Sequence, residues 1–328
     1  MSTYSAIIAG TGSYLPEKRL TNADLSAMVD TNDEWIVQRT GMRERRIVSE
    51  GESTSTLALH ASRSALEAAG ITANDLDLII CATITSDMVT PGSACFVAQG
   101  LGLSSTPAFD LGAACSGFIY ALSTATAFIQ SGMYKNVLVI GAESLSRITD
   151  YTDRGTCILF GDGAGAVVLK RDTDLKKGVL YSSLHADGNG WDLLNCPPGS
   201  QNPINQTMID NKGQFLRMKG REVYKFAVTR FEEMIEDAIR KTGLSKDDVS
   251  IVIPHQVNQR IIDSAMHKLH LPLEKAFVNI EKYGNTSAAS IPIALDEAVR
   301  AGKVNAGDTV VFVAFGAGLT WANAVVRM

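Results

Sequence analysis

The chain has no C-x-x-C pair, and its five cysteines, at positions 81, 95, 115, 157 and 196, are odd in number. They are expected to be free thiols in a reducing compartment, most of them small buried hydrophobes. No apolar run is long enough to span a membrane: the longest, Val310 to Leu319, is short and broken by glycines. The first twenty residues lack a basic start, and their Ile-Ile-Ala-Gly run is too short for the apolar part of a signal peptide. A cytoplasmic protein without a membrane anchor is expected. Positive charge is not in excess: 30 Lys and Arg against 35 Asp and Glu give a net charge of −5. That balance argues against a general nucleic-acid binder. His267 and His270 lack a third ligand, so no metal is expected. A complete dinucleotide fingerprint is also missing. Gly10-Thr-Gly-Ser-Tyr-Leu follows a strand but lacks the third small residue, and Gly161-Asp-Gly-Ala-Gly-Ala precedes a strand instead of opening a helix. Neither supports NAD or FAD, and no resident cofactor is expected.

What is present is an ordinary globular composition over 328 residues, 45% hydrophobic and 20% charged. That length allows two domains or one large α/β unit. The chain also repeats itself. Residues Ala65 to Ile80 match Ala238 to Ile253 at an offset of 173 residues, with Gly70 on Gly243 and Asp75 on Asp248. Gly132 to Gly141 resembles Gly302 to Ala314 at a slightly different offset. The period far exceeds that of solenoid repeats and reads as a duplicated domain. The charged stretch Lys170 to Lys177 marks the boundary.

Each half has the same coarse order. An amphipathic helix, with Val223, Phe226, Ala227, Phe231 and Met234 at helical spacing in the second half, ends at a glycine. A short apolar strand follows (76–82 and 249–253), then a second strand (108–111 and 276–280). A tight turn, a helix and a very apolar strand (137–140 and 309–313) complete the set. Alternating strands and helices predict an α/β layered fold with buried, mostly parallel strands. The segment 115–131 is apolar nearly all round, so its helix must be buried on most faces.

In such sheets ligands bind beyond the carboxyl ends of the strands. Three polar residues fall there: Cys115 after strand 108–111, His255 after strand 249–253, and Asn285 after strand 276–280. A thiol at a helix N-terminus meets unpaired N–H groups and a favourable dipole, which favour the thiolate. Taken singly, each residue has a plainer use: a core cysteine, a strand-end histidine, a turn asparagine. Their joint placement at equivalent strand ends points to a site. Cys81, Cys95, Cys157 and Cys196 have no such context and are read as structural.

At these residues the chain resembles the β-ketoacyl-acyl-carrier-protein synthase III family over nearly its whole length. The segments that carry the likeness are Asp33-Glu-Trp-Ile-Val-Gln-Arg-Thr-Gly, Leu111-Gly-Ala-Ala-Cys-Ser-Gly-Phe, Phe160-Gly-Asp-Gly-Ala-Gly-Ala, Pro254-His-Gln-Val-Asn, Tyr283-Gly-Asn-Thr-Ser-Ala-Ala-Ser and Phe315-Gly-Ala-Gly-Leu-Thr-Trp. The resemblance implies a duplicated thiolase-like fold in five layers, α-β-α-β-α, with two mixed sheets around buried helices. The halves would be residues 1–174, carrying the nucleophile, and 175–328, carrying His and Asn. It implies a homodimer that condenses an acyl-CoA primer with malonyl-acyl carrier protein and releases CO2 and CoA, starting fatty acid synthesis. Cys115 would hold the acyl group. The backbone N–H groups of Cys115 and Ala317 would form an oxyanion hole, Ala317 standing where the family often has glycine. His255 and Asn285 would donate to the malonyl thioester oxygen. Trp35, Arg39 and Arg154 match positions that hold coenzyme A. Arg221, Lys225, Gln256 and Arg260 match positions near docked carrier protein, within a basic cluster that also includes Arg217, Lys219, Arg230 and Lys268. Thr90 matches a position where some members carry Phe, reaching into the partner subunit's acyl pocket; a smaller residue predicts room for longer primers.

A papain-like hydrolase would also show a 140-residue Cys-to-His spacing, but its local cysteine signature is absent and the duplication would go unexplained. A degradative thiolase needs a second cysteine in the C-terminal glycine loop, where Phe315-Gly-Ala-Gly-Leu has none. A catalytically dead partner subunit would not keep the Cys-His-Asn set. A condensing enzyme of secondary metabolism would share every motif.

Overall fold

The computed structural model describes residues 3–328. Two mixed sheets form its centre, one from residues 5–172 and the other from 178–327. In the first sheet the strand order is Ser5–Tyr14, Asp162–Asp172, Asn136–Ser144, Leu78–Ala82, Ala108–Leu111. The first two junctions are antiparallel and the last two parallel. The second sheet runs Gly178–Ala186, Thr320–Arg327, Thr309–Gly316, Ile251–Pro254, again with two antiparallel junctions followed by a parallel one.

The repeated sequence produces repeated local structure. Helices Thr54–Ala69 and Gly220–Thr242 both end at a glycine in the left-handed region, Gly70 (φ 63°) and Gly243 (φ 68°). That conformation suits a residue without a Cβ. Each cap is followed by the same turn. The Asp75 carboxylate accepts from the N–H and hydroxyl of Thr72, both at 2.8 Å. Asp248 accepts from the N–H (2.7 Å) and hydroxyl (2.6 Å) of Ser245. Each turn delivers the chain into a buried parallel strand.

Packing explains the five layers. Helices Thr54–Ala69 and Ser93–Gly100 cover the outer face of the first sheet. Helices Gly220–Thr242 and Gln259–Lys268 cover the outer face of the second. Between the sheets lie Gly117–Gln130 and Ser290–Arg300, whose side chains join both sheets in one apolar cluster. Phe118, Ile119, Leu122 and Ile129 are fully buried there. Each contributes about 2 kcal/mol by burial. Gly165 allows the close approach, because a Cβ there would meet the Ile293 nitrogen at 2.6 Å.

Three expectations are corrected. The strands are not mostly parallel, since antiparallel junctions outnumber parallel ones across the two sheets. The strand expected at 276–280 is only a bridge between Ala276 and Val252, followed by the short helix Ile280–Tyr283. The Asn279 N–H donates at 3.0 Å to the Gln256 side chain instead of to a ladder. Cys95 and Cys196 are exposed, whereas Cys81 and Cys157 are buried. Among the described residues no helix is long and apolar enough to cross a membrane.

Candidate active site

Cys115 lies in the 3-10 turn Ala114–Ser116, immediately before helix Gly117–Gln130. The preceding Ala114 is held at φ 46°, an uncommon conformation for a residue with a Cβ. The turn presses Cys115 against the C-terminal glycine loop. A Cβ on Gly316 would meet the Cys115 nitrogen at 2.6 Å, so this position tolerates only glycine. Ala317, the other expected oxyanion donor, is the next residue of that loop.

His255 follows strand Ile251–Pro254 and is fully buried. Its N–H donates to the Val313 carbonyl at 2.8 Å, which extends the parallel ladder by one bond. Phe315 stands edge-on to the imidazole, 6.0 Å between centroids. Ring atom Nδ1 lies 2.7 Å from Ser290 Oγ, while Nε2 is buried without a hydrogen-bond partner. Asn285 is held by its backbone, donating to Leu159 O at 2.9 Å and accepting from Gly161 N–H at 3.0 Å. Its Oδ1 accepts the Ser287 N–H at 2.8 Å, which leaves the amide NH2 as a donor.

The three side chains line one cavity of about 40 Å³ whose other walls are mostly apolar, among them Leu159, Phe160, Leu194, Met218, Phe315 and Leu319. This environment penalises charge. Burial pushes the His255 pKa down to about 3, so the imidazole is neutral at physiological pH. Burial also pushes the Cys115 thiol up to about 12, against a smaller opposing pull from Ser287. Burial thus opposes the thiolate that the helix terminus was expected to favour.

Three groups escaped the sequence reading. Glu143 is fully buried at the end of an apolar strand, and burial pushes its carboxyl up to about 7. It accepts from Thr85 Oγ1 at 2.6 Å and from Ile84 N–H at 3.2 Å. The Ser287 hydroxyl sits beside both the thiol and this carboxyl without a well-formed hydrogen bond to either. Ser290 is the third. A lone carboxylate in a buried strand was the available signal for Glu143. Both serines lay inside the Tyr283-Gly-Asn-Thr-Ser-Ala-Ala-Ser segment.

At the surface, the guanidinium groups of Arg154 and Arg39 lie 4.8 and 5.7 Å from the Trp35 ring centroid. Asn32 caps helix Asp33–Thr40 by accepting from Trp35 N–H, which orients that face. The short helix Arg154–Cys157 leads directly to Leu159 and Phe160 of the cavity wall. Arg221, Lys225 and Arg260 are exposed, and among the described residues none has a carboxylate within ion-pair distance. Lys219, Arg230 and Lys268 are instead paired with Asp192, Glu233 and Glu232. Val223, between Arg221 and Lys225, lines the cavity, as does Val257 near Arg260. Gln256 corrects the expectation of a docking residue. It is 1% exposed, and its amide donates inward to Pro254 O and Phe277 O. Thr90 is exposed and does not line the cavity of its own chain.

The layered architecture is that of thiolase-fold condensing enzymes. Residues 109–188 match the family 3-oxoacyl-[acyl-carrier-protein (ACP)] synthase III, and residues 239–328 match its C-terminal family. The chain is 51% identical over 320 residues to the β-ketoacyl-[acyl-carrier-protein] synthase III of Xanthomonas campestris, covering 98% of this chain and 97% of that one. It is 51% identical over 324 residues to the protein of the same name from Caldanaerobacter subterraneus, covering 98% of each. The crystal structure of the 3-oxoacyl-[acyl-carrier-protein] synthase III of Aquifex aeolicus superposes with a TM-score of 0.92 at 49% identity, over 98% of this chain and all of that one. The priming β-ketosynthase of the R1128 polyketide pathway superposes with a TM-score of 0.90 at 35% identity, over 98% and 96% of the two chains. The chain belongs to the β-ketoacyl-acyl-carrier-protein synthase III family of acyltransferases.

Proposed function

We propose that this chain joins an acyl-CoA primer to malonyl-acyl carrier protein, giving 3-oxoacyl-acyl carrier protein, CO2 and CoA, the step that starts fatty acid synthesis. The observation that carries the proposal is the cavity holding one thiol, one imidazole whose Nε2 has no hydrogen-bond partner and one carboxamide donor. The chemistry divides into two halves. In the first, Cys115 sulfur attacks the acyl carbonyl, the bond to CoA sulfur breaks, and the thiol proton leaves with CoA. The N–H groups of Cys115 and Ala317 receive the oxygen that becomes negative. In the second, the bond between the malonyl carboxylate and its methylene breaks and CO2 departs. The electron pair passes to the thioester oxygen, which His255 and Asn285 hold as an enolate. Its carbon attacks the acyl group, the bond to Cys115 sulfur breaks, and the sulfur leaves and takes up a proton from solvent. The test is to incubate the protein with acyl-CoA, then with malonyl-acyl carrier protein, and to measure protein mass and CO2 in turn. Acylation at residue 115 followed by CO2 release supports the proposal; thioester hydrolysis alone refutes it.

The Trp35, Arg39 and Arg154 cluster is assigned to the adenine and phosphates of CoA, since guanidinium groups stack on flat rings and pair with phosphates. Arg154→Ala is expected to raise the KM for acyl-CoA about tenfold with kcat unchanged, as removal of uniform binding does. Steady-state kinetics checks it. The exposed charges of Arg221, Lys225 and Arg260, close in sequence to cavity-lining Val223 and Val257, suit an acidic carrier protein. Charge reversal in Arg221→Glu with Arg260→Glu should weaken carrier binding severalfold at low salt. The gap should close as the Debye length shrinks to about 3 Å near 1 M salt. Titrating the KM for malonyl-carrier protein against salt reads this out.

Further parts of the proposal are a homodimer, two duplicated halves at 1–174 and 175–328, and a cytoplasmic protein with no bound cofactor. Ile84, Met88, Val89 and Phe109 expose apolar surface beside Thr90, the kind of patch a second subunit covers. Thr90 would then border the partner's acyl pocket and leave room for primers longer than acetyl. The likeness to the R1128 priming β-ketosynthase supports a second reading, in which the same chemistry primes a secondary-metabolite pathway. The carrier protein accepted in the assay separates the two.

A further inference from the structure

For His255 to hold an enolate oxygen, its proton must sit on Nε2, and the surroundings of the other nitrogen decide this. Nδ1 lies 2.7 Å from the hydroxyl of Ser290, the first residue of helix Ser290–Arg300 and 2% exposed. The same oxygen faces the Gln256 N–H at 3.4 Å. Gln256 is clamped in place: its side chain donates to Pro254 O at 2.8 Å and accepts from Asn279 N–H at 3.0 Å.

Only two proton arrangements fit this group. In one, Nδ1–H donates to Ser290 Oγ. That oxygen then receives two N–H groups, its own hydrogen has no acceptor among the described residues, and Nε2 is a bare acceptor. In the other, the hydroxyl hydrogen goes to Nδ1 and the Gln256 N–H fills an Oγ lone pair. Nε2 then carries the proton. Every buried group of the trio is paired except Nε2–H, which faces the cavity. Leaving a buried hydroxyl hydrogen unpaired is disfavoured, so the second arrangement prevails.

We propose that Ser290 is a positioning residue that locks neutral His255 as its Nε2–H tautomer, making the imidazole a donor to the enolate and no acceptor for the thiol proton. The inference rests on the reading of His255 as an enolate donor. It assigns Gln256 to the inside of the site, where it orients Ser290.

Nuclear magnetic resonance of protein labelled with nitrogen-15 histidine reports the tautomer directly, with the His255 signal identified by its loss in His255→Gln. The wild type should show Nε2–H with an unprotonated Nδ1. In Ser290→Ala the signal should shift toward Nδ1–H. Malonyl decarboxylation by the acylated enzyme should fall about tenfold or more, as loss of an oriented donor predicts. Acylation of Cys115 should change by less than about threefold, and the KM for the malonyl substrate should hold. Ser290→Thr, which keeps the hydroxyl, should recover both the tautomer and the rate. An Nδ1–H tautomer in the wild type overturns the proposal, and that measurement needs no variant to fold. So does an alanine variant whose tautomer and decarboxylation are unchanged. Absence of decarboxylation in the wild type would defeat the condensing function instead, while the tautomer would still judge Ser290.

Discussion

Acetyl-CoA is expected to add one acetyl group to the protein, on the peptide containing Cys115, and Cys115→Ala is expected to add none. Overall condensation in that variant should drop at least about 10⁴-fold, because a lost nucleophile has no substitute. Mass spectrometry of the intact protein and its peptides decides it. Butyryl- and octanoyl-CoA belong in the same experiment, and strict preference for acetyl would reject the role given to Thr90. The pH dependence carries further information. With the thiol pushed up to about 12, its ionised fraction rises about tenfold per pH unit across the neutral range. Alkylation by iodoacetamide should follow that slope between about pH 7 and 9 without a plateau. A plateau near pH 7 would mean a stabilised resting thiolate.

A thiol that burial holds back from ionising does not oppose the mechanism. Catalysis depends on what is held more tightly in the transition state than in the ground state. Burial beside apolar walls penalises a standing thiolate, while on the proposed mechanism the N–H groups of Cys115 and Ala317 would meet the acyl oxygen as it becomes negative. Charge would then be stabilised as it forms. The same walls keep His255 neutral and deter hydrolysis by water.

Much of this was legible in the residues. The pairing of Gly70 with Gly243 and of Asp75 with Asp248 reappears as two left-handed helix caps and two identical turns, because each depends on local backbone chemistry. The gathering of Cys115 and His255 followed from their positions at strand ends, whereas Asn285 reaches the same cavity through a bridge to Phe160 after the short helix Ile280–Tyr283. What stayed hidden depends on contacts distant in sequence. The segment after Ala276 has the apolar pattern of a strand, but the Gln256 side chain takes the Asn279 N–H and a helix begins. Gln256 carries a polar side chain that looks like surface, yet its partners are buried carbonyls. The opposition to a thiolate was not legible, because a helix terminus is visible in sequence whereas the depth of burial around residue 115 is not.

His255→Ala and Asn285→Ala are each expected to reduce malonyl decarboxylation by about 100- to 1000-fold, the usual cost of removing one donor from a developing oxyanion. Acylation of Cys115 should remain within about tenfold of normal, because neither side chain is needed to bind acyl-CoA or to hold the first oxyanion. Radiolabelled CO2 release from pre-acylated enzyme, set against the rate of mass gain in the first half-reaction, separates the two steps. Equal losses in both would contradict the assignment. The double variant should lose little more than the worse single one, since the two donors serve one oxygen and act as a unit. The imidazole also constrains the pH profile. An unfolded histidine takes up its proton near 6.5, whereas folded His255 does so only near 3. Folded stability from this residue is therefore complete above pH 6.5 and lost as the pH falls from 6.5 toward 3. The folded protein should keep His255 neutral to well below pH 5. Decarboxylation by acylated enzyme should accordingly show no inflection attributable to His255 between about pH 5 and 8, and an inflection near 6.5 that disappears in His255→Ala would mean the ring is open to solvent.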